Sequence, residues 1–378
     1  MRQKNVLHVF KKMDRGGAEL RTIDLLKNID QDRYKFYFCS LSGEKGELDE
    51  TINNLGGQMV YCNLKDVLFA KKFINIIKKY NINVVHSNTY YFSGIILLLA
   101  NIAKVPIRIA HFRSFNSGKN KNLYNKTKSY FLKTLIKKYA TNIIGVSKAA
   151  LIGSFDEHIL NDTRVSLLYN GLDISVLQST IDNKVNHKNL LINKYNLKKD
   201  CKIIIHIGRF TDAKNHSFLI DIFNKYLRKN NNAVLFLIGK EDNEIQTDIL
   251  KKLSDYNIES KVFFLGVQSN IYEFLLQADL MLYPSIREGL PGAVLESMVS
   301  GVPVIASDIA PHKELESYFE KTITIVGLNE PPEVWAEIIN RKLNLNNSPK
   351  NIETFITDFL KTPFSIKNYV ENYQRLIK

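Results

Sequence analysis

The sequence predicts an α/β protein built as two tandem domains, each a parallel sheet wound with helices. Three observations carry that prediction. Short β-rich apolar runs alternate with helix-period segments of roughly 10–20 residues, which is the βαβ pattern of a parallel sheet. The alternation occurs twice, with a polar stretch between the two series. The 378 residues also suffice for about two domains of ordinary size.

In the first series, NVLHVF (5–10) is an apolar strand, followed by a Gly-Gly turn and the helix pattern AELRTIDLLKNI (18–29). YKFYFCSL (34–41), INVVHS (82–87), PIRIAHF (106–112) and NIIGVS (142–147) read as further strands. FINIIKKY (73–80) and a Lys-rich segment near 121–139 have helical period. RVSLLYNGLD (164–173) closes this half, so residues 1–173 form the expected N-terminal domain. Residues 174–200 lack a clear period and read as a linker. The second series contains KIIIHIGRF (202–210), AVLFLIG (233–239), KVFFLG (261–266), DLMLYPS (279–285), VPVIAS (302–307) and TITIVG (322–327). It defines a second domain over 201–360. FSIKNYVENYQRLIK (364–378) is an amphipathic terminal helix, and 361–378 are expected to pack back on the first domain. Both halves are Rossmann-like, and such sheets bind ligands beyond the carboxyl ends of their strands, here in a cleft between the domains.

Composition narrows the function. Apolar residues at 45% and charged residues at 24% exclude disordered and fibrous classes. The excess of 52 Lys and Arg over 38 Asp and Glu, +14, suits an anionic partner or a merely lysine-rich solvated surface. Three cysteines, Cys39, Cys62 and Cys201, have no metal or redox spacing and fit a reducing compartment. The first apolar run is too short for a signal peptide. GIILLLANIA (94–103) falls short of the ~20 residues a membrane span needs. Any membrane contact is therefore expected to be peripheral, from the cytoplasmic side.

The segment PSIREGLPGAVLESMVSGVPVIAS (284–307) holds most of the chemistry. Pro291 is expected at the first helical position and Gly301 just past the helix end. The amides of Gly292 and Ala293 would then face an anion such as a phosphate. Glu288 and Glu296 flank that site, and a carboxylate accepts hydrogen bonds from a vicinal diol. By spacing alone, Glu288 as a helix cap and Glu296 as a solvated side chain fit equally well. The loop GRFTDAKN (208–215) follows the strand IIIHI. Gly208 permits a tight turn, Arg209 and Lys214 supply two cations suited to a diphosphate, and Asn215 is placed to cap the next helix. Gly16 and Gly17 allow close backbone approach after the first strand, although a plain turn explains them too. Asp30-Gln31-Asp32 lies away from the strand ends and reads as a solvated turn, so no metal is expected.

Taken together, these segments resemble the GT-B glycosyltransferases, specifically glycosyltransferase family 4, over nearly the whole chain. The resemblance rests on Gly16-Gly17, on Gly208-Arg209 with Lys214, on Glu288 and Glu296 within EGLPGAVLE, and on YNGLD (169–173). It implies that Glu288 contacts the donor sugar and that Gly289, Leu290, Pro291 and Gly292 hold sugar and phosphate. Glu296 would bind the ribose, Arg209 and Lys214 the departing diphosphate, and Gly266 and Val267 the base. His111 matches the family's active-site histidine, whereas a satisfied core histidine is the plain alternative; His86 is read as structural. The family often follows that histidine with Asp or Glu, whereas Phe112 and Arg113 follow here.

The implied reaction is retaining transfer from a nucleotide-sugar, a UDP-sugar in the first instance. The acceptor would be lipid-linked or a saccharide, in bacterial surface polysaccharide synthesis (capsule or exopolysaccharide). No cofactor or metal is required if cations and the helix start neutralise the diphosphate. The segment 119–138, with seven lysines among Leu, Tyr and Phe, suits an anionic leaflet or an ordinary exposed helix face. The alternatives are another two-domain nucleotide-sugar enzyme, such as an epimerase or phosphorylase, and a basic nucleic-acid-binding protein. The latter lacks any recognisable module.

Overall fold

The computed structural model describes residues 3–114, 123–183, 190–320, 322–345 and 352–378. The chain divides into two compact units, 1–172 with 363–378, and 173–362. In the first unit the strands are β1 (Lys4–Phe10), β2 (Tyr34–Ser40), β3 (Gln58–Tyr61), β4 (Val84–Ser87), β5 (Ile107–Phe112), β6 (Asn142–Gly145) and β7 (Val165–Leu167). They form one sheet in the order β3-β2-β1-β4-β5-β6-β7, parallel at every pairing. Their sequences are near-continuous apolar runs because helices cover both faces. One face packs Leu7, Val9, Val85 and Ala110 against helices Phe69–Lys79 and Ser93–Ile102. The other packs Val6, Phe36, Val84 and Ile109 against helix Gly17–Asn28 and Tyr369 and Tyr373 of the terminal helix Ile366–Leu376.

That terminal helix is anchored at both ends. Leu172 N donates to Phe364 O at 2.8 Å, and Ile366 N donates to Leu172 O at 3.2 Å. Lys4 Nζ donates to Ile377 O at 2.8 Å. Gly171, within YNGLD, has no room for a side chain, since a Cβ there would lie 2.6 Å from Tyr369 Cβ.

The second unit contains β8 (Lys202–Ile207), β9 (Ala233–Ile238), β10 (Val262–Phe264), β11 (Leu280–Tyr283), β12 (Val304–Ser307) and β13 (Ile323–Val326). Their order is β10-β9-β8-β11-β12-β13, again all parallel. Its core joins Ile204, Leu235, Leu280 and Ile305 to Phe223 of helix His216–Leu227 and to Trp335. In each unit the strand order reverses beside the first strand, between β1 and β4 and between β8 and β11. The crevice at such a switch point is where open α/β sheets bind ligands.

The 174–200 stretch departs from its expected form. It carries helices Ser175–Asp182 and Leu190–Lys194 and clusters with the second unit instead of linking two bodies. Leu177, Thr180 and Leu191 are buried there, and Asn270 Nδ2 donates to Thr180 Oγ1 at 3.0 Å. These few buried side chains set the helices, too short a run for periodicity to register. Residues 184–189 of that stretch lie outside the described residues.

Candidate functional site

In the second unit, two loops meet at the β8–β11 switch point. Loop 208–215 leaves β8 and loop 284–291 leaves β11. Ile286 N donates to Ala213 O at 2.8 Å, and Asn215 Nδ2 donates to Pro284 O at 3.2 Å. Asn215 is therefore a correction to the expected cap. It occupies the N-cap position with left-handed φ 57°, and its side chain ties the loops together instead of capping helix His216–Leu227. Asn tolerates that backbone better than most residues.

Between the loops, Lys214 Nζ meets Glu288 Oε1 at 2.6 Å, with both side chains largely buried at 17% and 12% exposed. Lys214 Nζ also donates to the Tyr283 hydroxyl and lies 4.6 Å from that ring's centroid. Tyr283 is 1% exposed. Burial, followed by the charge of Glu288 and, more weakly, of Glu296, holds its phenol well above the usual range. Lys214, Glu288 and Glu296 thus act on one ring. Arg209, on the same loop, is exposed and pairs with no carboxylate among the described residues.

The helix after β11 runs Gly292–Val299, so Pro291 is its N-cap and not, as expected, its first helical residue. Its first backbone donor back to the cap is Val294 N, to Pro291 O at 3.1 Å. The preceding amides, Gly292 and Ala293, belong to the turn that a helix leaves unpaired. A Cβ on Gly292 would meet nothing within 4 Å, so open space fronts this helix start. Gly289 and Leu290 are half-buried in the approach. Gly301 closes the helix at φ 70°. Gly301 N bonds Met298 O at 3.0 Å and Val302 N bonds Ser297 O at 3.0 Å, a Schellman stop.

Gly239 brings three strand ends together. Gly208 N donates to Ile238 O at 2.8 Å and Gly239 N to Gly266 O at 2.9 Å. A Cβ on Gly239 would sit 2.0 Å from Gly208 O. Gly266 adopts φ 61° with open space before it, and Val267 beside it is 68% exposed.

In the first unit, His111 ends β5 at 1% exposed. Its Nδ1 lies 2.9 Å from His86 Nε2. Burial, and secondarily the Arg113 guanidinium, hold it well below the usual imidazole range. Arg113 donates to three neutral oxygens: Asn88 Oδ1 at 2.8 Å, Asn170 Oδ1 at 2.9 Å and Thr22 Oγ1 at 3.1 Å. Asn170 belongs to YNGLD, so that segment helps fix Arg113 beside His111. Gly16 is the extended N-cap of helix Gly17–Asn28. A Cβ on Gly17 would enter open space, while one on Gly16 would lie 2.4 Å from Glu19 Oε2.

Two family descriptions match the chain: Glycosyltransferase Family 4 over residues 15–176 and Glycosyl transferases group 1 over residues 187–357. A Staphylococcus aureus capsular polysaccharide biosynthesis glycosyltransferase, CapH, is 33% identical over 358 residues, 92% of this chain and 94% of that protein. The chain belongs to glycosyltransferase family 4. The Bacillus subtilis putative glycosyltransferase EpsF is 30% identical across 90% of this chain and 88% of its own. Anabaena HepE, solved with UDP, superposes with a TM-score of 0.80 at 18% identity, covering 99% of both chains. The fold of this glycosyltransferase is therefore GT-B.

Asp30 of the glycosyltransferase is a turn former: its Oδ1 accepts from Asp32 N at 3.1 Å and Arg33 N at 3.3 Å. Among the described residues, no group of three or more His, Cys, Asp and Glu is arranged to hold a metal ion. A pocket of about 450 Å³ lined by Asn5, Asn83 and Pro106 lies at the amino ends of the first sheet's strands, the wrong end for a switch-point ligand. Sequence reasoning missed Tyr283 and the side-chain partner of His111. Tyr283 carried a signal, as a polar aromatic at the carboxyl end of an apolar strand. His86 reads as structural in the sequence, but its contact with His111 left no signal, because the pairing of β4 with β5 is not visible along the chain.

Proposed function

We infer that this glycosyltransferase moves a hexose from a UDP-sugar to a lipid-linked or saccharide acceptor, with retention, in the assembly of a bacterial surface polysaccharide. The observation that carries the donor half is the Lys214–Glu288 pair on Tyr283, at the mouth of helix Gly292–Val299. Lys214 and Arg209 neutralise the diphosphate, and the amides of Gly292 and Ala293 add the helix-start field. Glu288 contacts sugar hydroxyls, Gly289, Leu290 and Pro291 line sugar and phosphate, Glu296 takes the ribose diol, and Gly266 and Val267 face the base. Within the first unit, His111 is assigned a substrate contact, and Gly16 and Gly17 offer the open backbone of a helix start to the donor. CapH supports the capsular assignment by name, and HepE was solved with UDP and with UDP-glucose. An Escherichia coli relative, 25% identical over 65% of this chain, is a galactosyltransferase acting on a diphosphoundecaprenol acceptor.

No metal is needed on this reading, because fixed cations and amides do its work. Transfer in the presence of a chelator should proceed at the untreated rate, and complete loss would contradict it. Product analysis should show the donor's anomeric configuration retained; an inverted centre would contradict the assignment.

The acceptor side includes helix Leu123–Tyr139. Tyr124, Tyr130 and Phe131 are exposed at 71%, 75% and 59%, among exposed Lys126, Lys128, Lys137 and Lys138. Residues 119–122 of the basic segment lie outside the described residues. No described helix is long and apolar enough to cross a membrane. Aromatic side chains among lysines suit peripheral contact with an anionic leaflet on the inner face of the plasma membrane. Flotation with anionic vesicles and not with neutral ones is the expected result, and equal behaviour with both would count against it.

A further inference from the structure

Three buried imidazoles and one buried phenol in the first unit form a single chain. His8 on β1 and His86 on β4 are register partners, and His111 follows on β5. All three are at most 1% exposed. The hydroxyl of Tyr373, on the terminal helix, lies 3.2 Å from His8 Nε2 and 3.2 Å from His86 Nδ1. His86 Nε2 lies 2.9 Å from His111 Nδ1. The two ends, His8 Nδ1 and His111 Nε2, are buried with no partner among the described residues. Burial keeps the rings neutral, lowering His8 to about 3 and holding His86 and His111 well below the usual range. The neighbouring imidazoles and Arg113 reinforce that depression.

Neutrality leaves this chain little freedom. Each neutral imidazole carries one proton and the phenol one more, so four protons serve three contacts. Each contact takes one proton, and the fourth must sit at an end. If it sits on His8 Nδ1, all three rings are protonated on Nδ1. If it sits on His111 Nε2, all three are protonated on Nε2. Any mixture would leave a buried contact with two facing protons or with none.

We propose that Tyr373 is a positioning residue for His111: acting through His86, its hydroxyl locks the tautomer of His111 to those of His86 and His8. The free nitrogen at the chain's end therefore changes between giving and taking a hydrogen bond only when all three rings switch together. The consequence for catalysis rests on the reading of His111 as a substrate contact, whereas the tautomer rule does not.

The test is ¹⁵N NMR of the full-length chain labelled at histidine, near neutral pH, with each ring assigned by single substitution. His8, His86 and His111 should be protonated at the same ring position, and mixed tautomers would overturn the proposal. In Tyr373→Phe the ring nitrogens of His8 and His111 should shift. Turnover, kcat, should fall at least fivefold while the donor KM stays within twofold. Replacing Tyr373 with 3-fluorotyrosine, which keeps the hydroxyl, should restore both the common tautomer and kcat. Unchanged nitrogens in Tyr373→Phe would overturn the proposal, as would unchanged kcat. If Tyr373→Phe does not fold, the wild-type tautomers alone decide. Transfer untouched by His111→Gln would contradict the catalytic reading of His111, and the ring assignments would still judge the chain separately.

Discussion

Lys214 and Glu288 form a largely buried pair, so removing one partner strands the other's charge. Lys214→Met and Glu288→Gln should each cost about 2 kcal/mol of stability, between the usual surface and buried limits. The double variant should recover part of that stability in urea melts while transfer stays at least 100-fold down. Full recovery of transfer would mean that the pair is only structural. The sequence singled out both residues in loops that follow strands, but spacing alone left a helix-cap role for Glu288 equally open; their pairing came from the fold. Tyr283 offered a signal of its own as a polar aromatic at a strand end, but its partner was not visible, since Lys214 reaches its ring from the loop after β8. Asn215 was placed correctly at the helix start but given the wrong partner. Capping is a local rule, whereas the Pro284 carbonyl it bonds comes from a loop 69 residues away.

At the level of elements, the strand ends depend on glycines that nothing else replaces. Gly239→Ala would drive a Cβ into Gly208 O and part the β8 and β9 ends. The expected loss is about 3 kcal/mol, as for other severe overpacking, measured by chemical denaturation; a change below about 0.5 kcal/mol would contradict the packing described. Gly301→Ala, at φ 70°, should cost only about 1 kcal/mol, the ordinary left-handed penalty. Strands with long apolar runs, such as β8 and β9, were legible because burial on both faces writes itself into composition. β3 was not: it has four residues, only one of them buried, and its existence depends on pairing with β2. The terminal helix was legible by its apolar stripe, but the identity of Tyr373 as a member of a polar chain was not.

Over the whole molecule, buried histidines make stability depend on pH. His8 is lowered to about 3, His216 and His312 to about 4, and His86, His111 and His206 well below the ordinary 6.5, chiefly by burial. The unfolded chain takes up these protons first. Stability is therefore full above about pH 6.5 and falls as pH drops toward about 4. His216 and His312 alone contribute a slope of about 3 kcal/mol per pH unit within that window. Thermal melts should show Tm level from about pH 8 to about pH 7 and dropping steeply below about pH 6; a flat profile to pH 5 would contradict neutral burial. The central claim is that the second unit grips an activated sugar by its diphosphate. Calorimetric titration with UDP tests it most directly, comparing wild type with Lys214→Met and Glu296→Gln. UDP should bind the wild type and bind each variant at least tenfold more weakly. Equal affinity in all three proteins, or no binding to the wild type, would contradict the account.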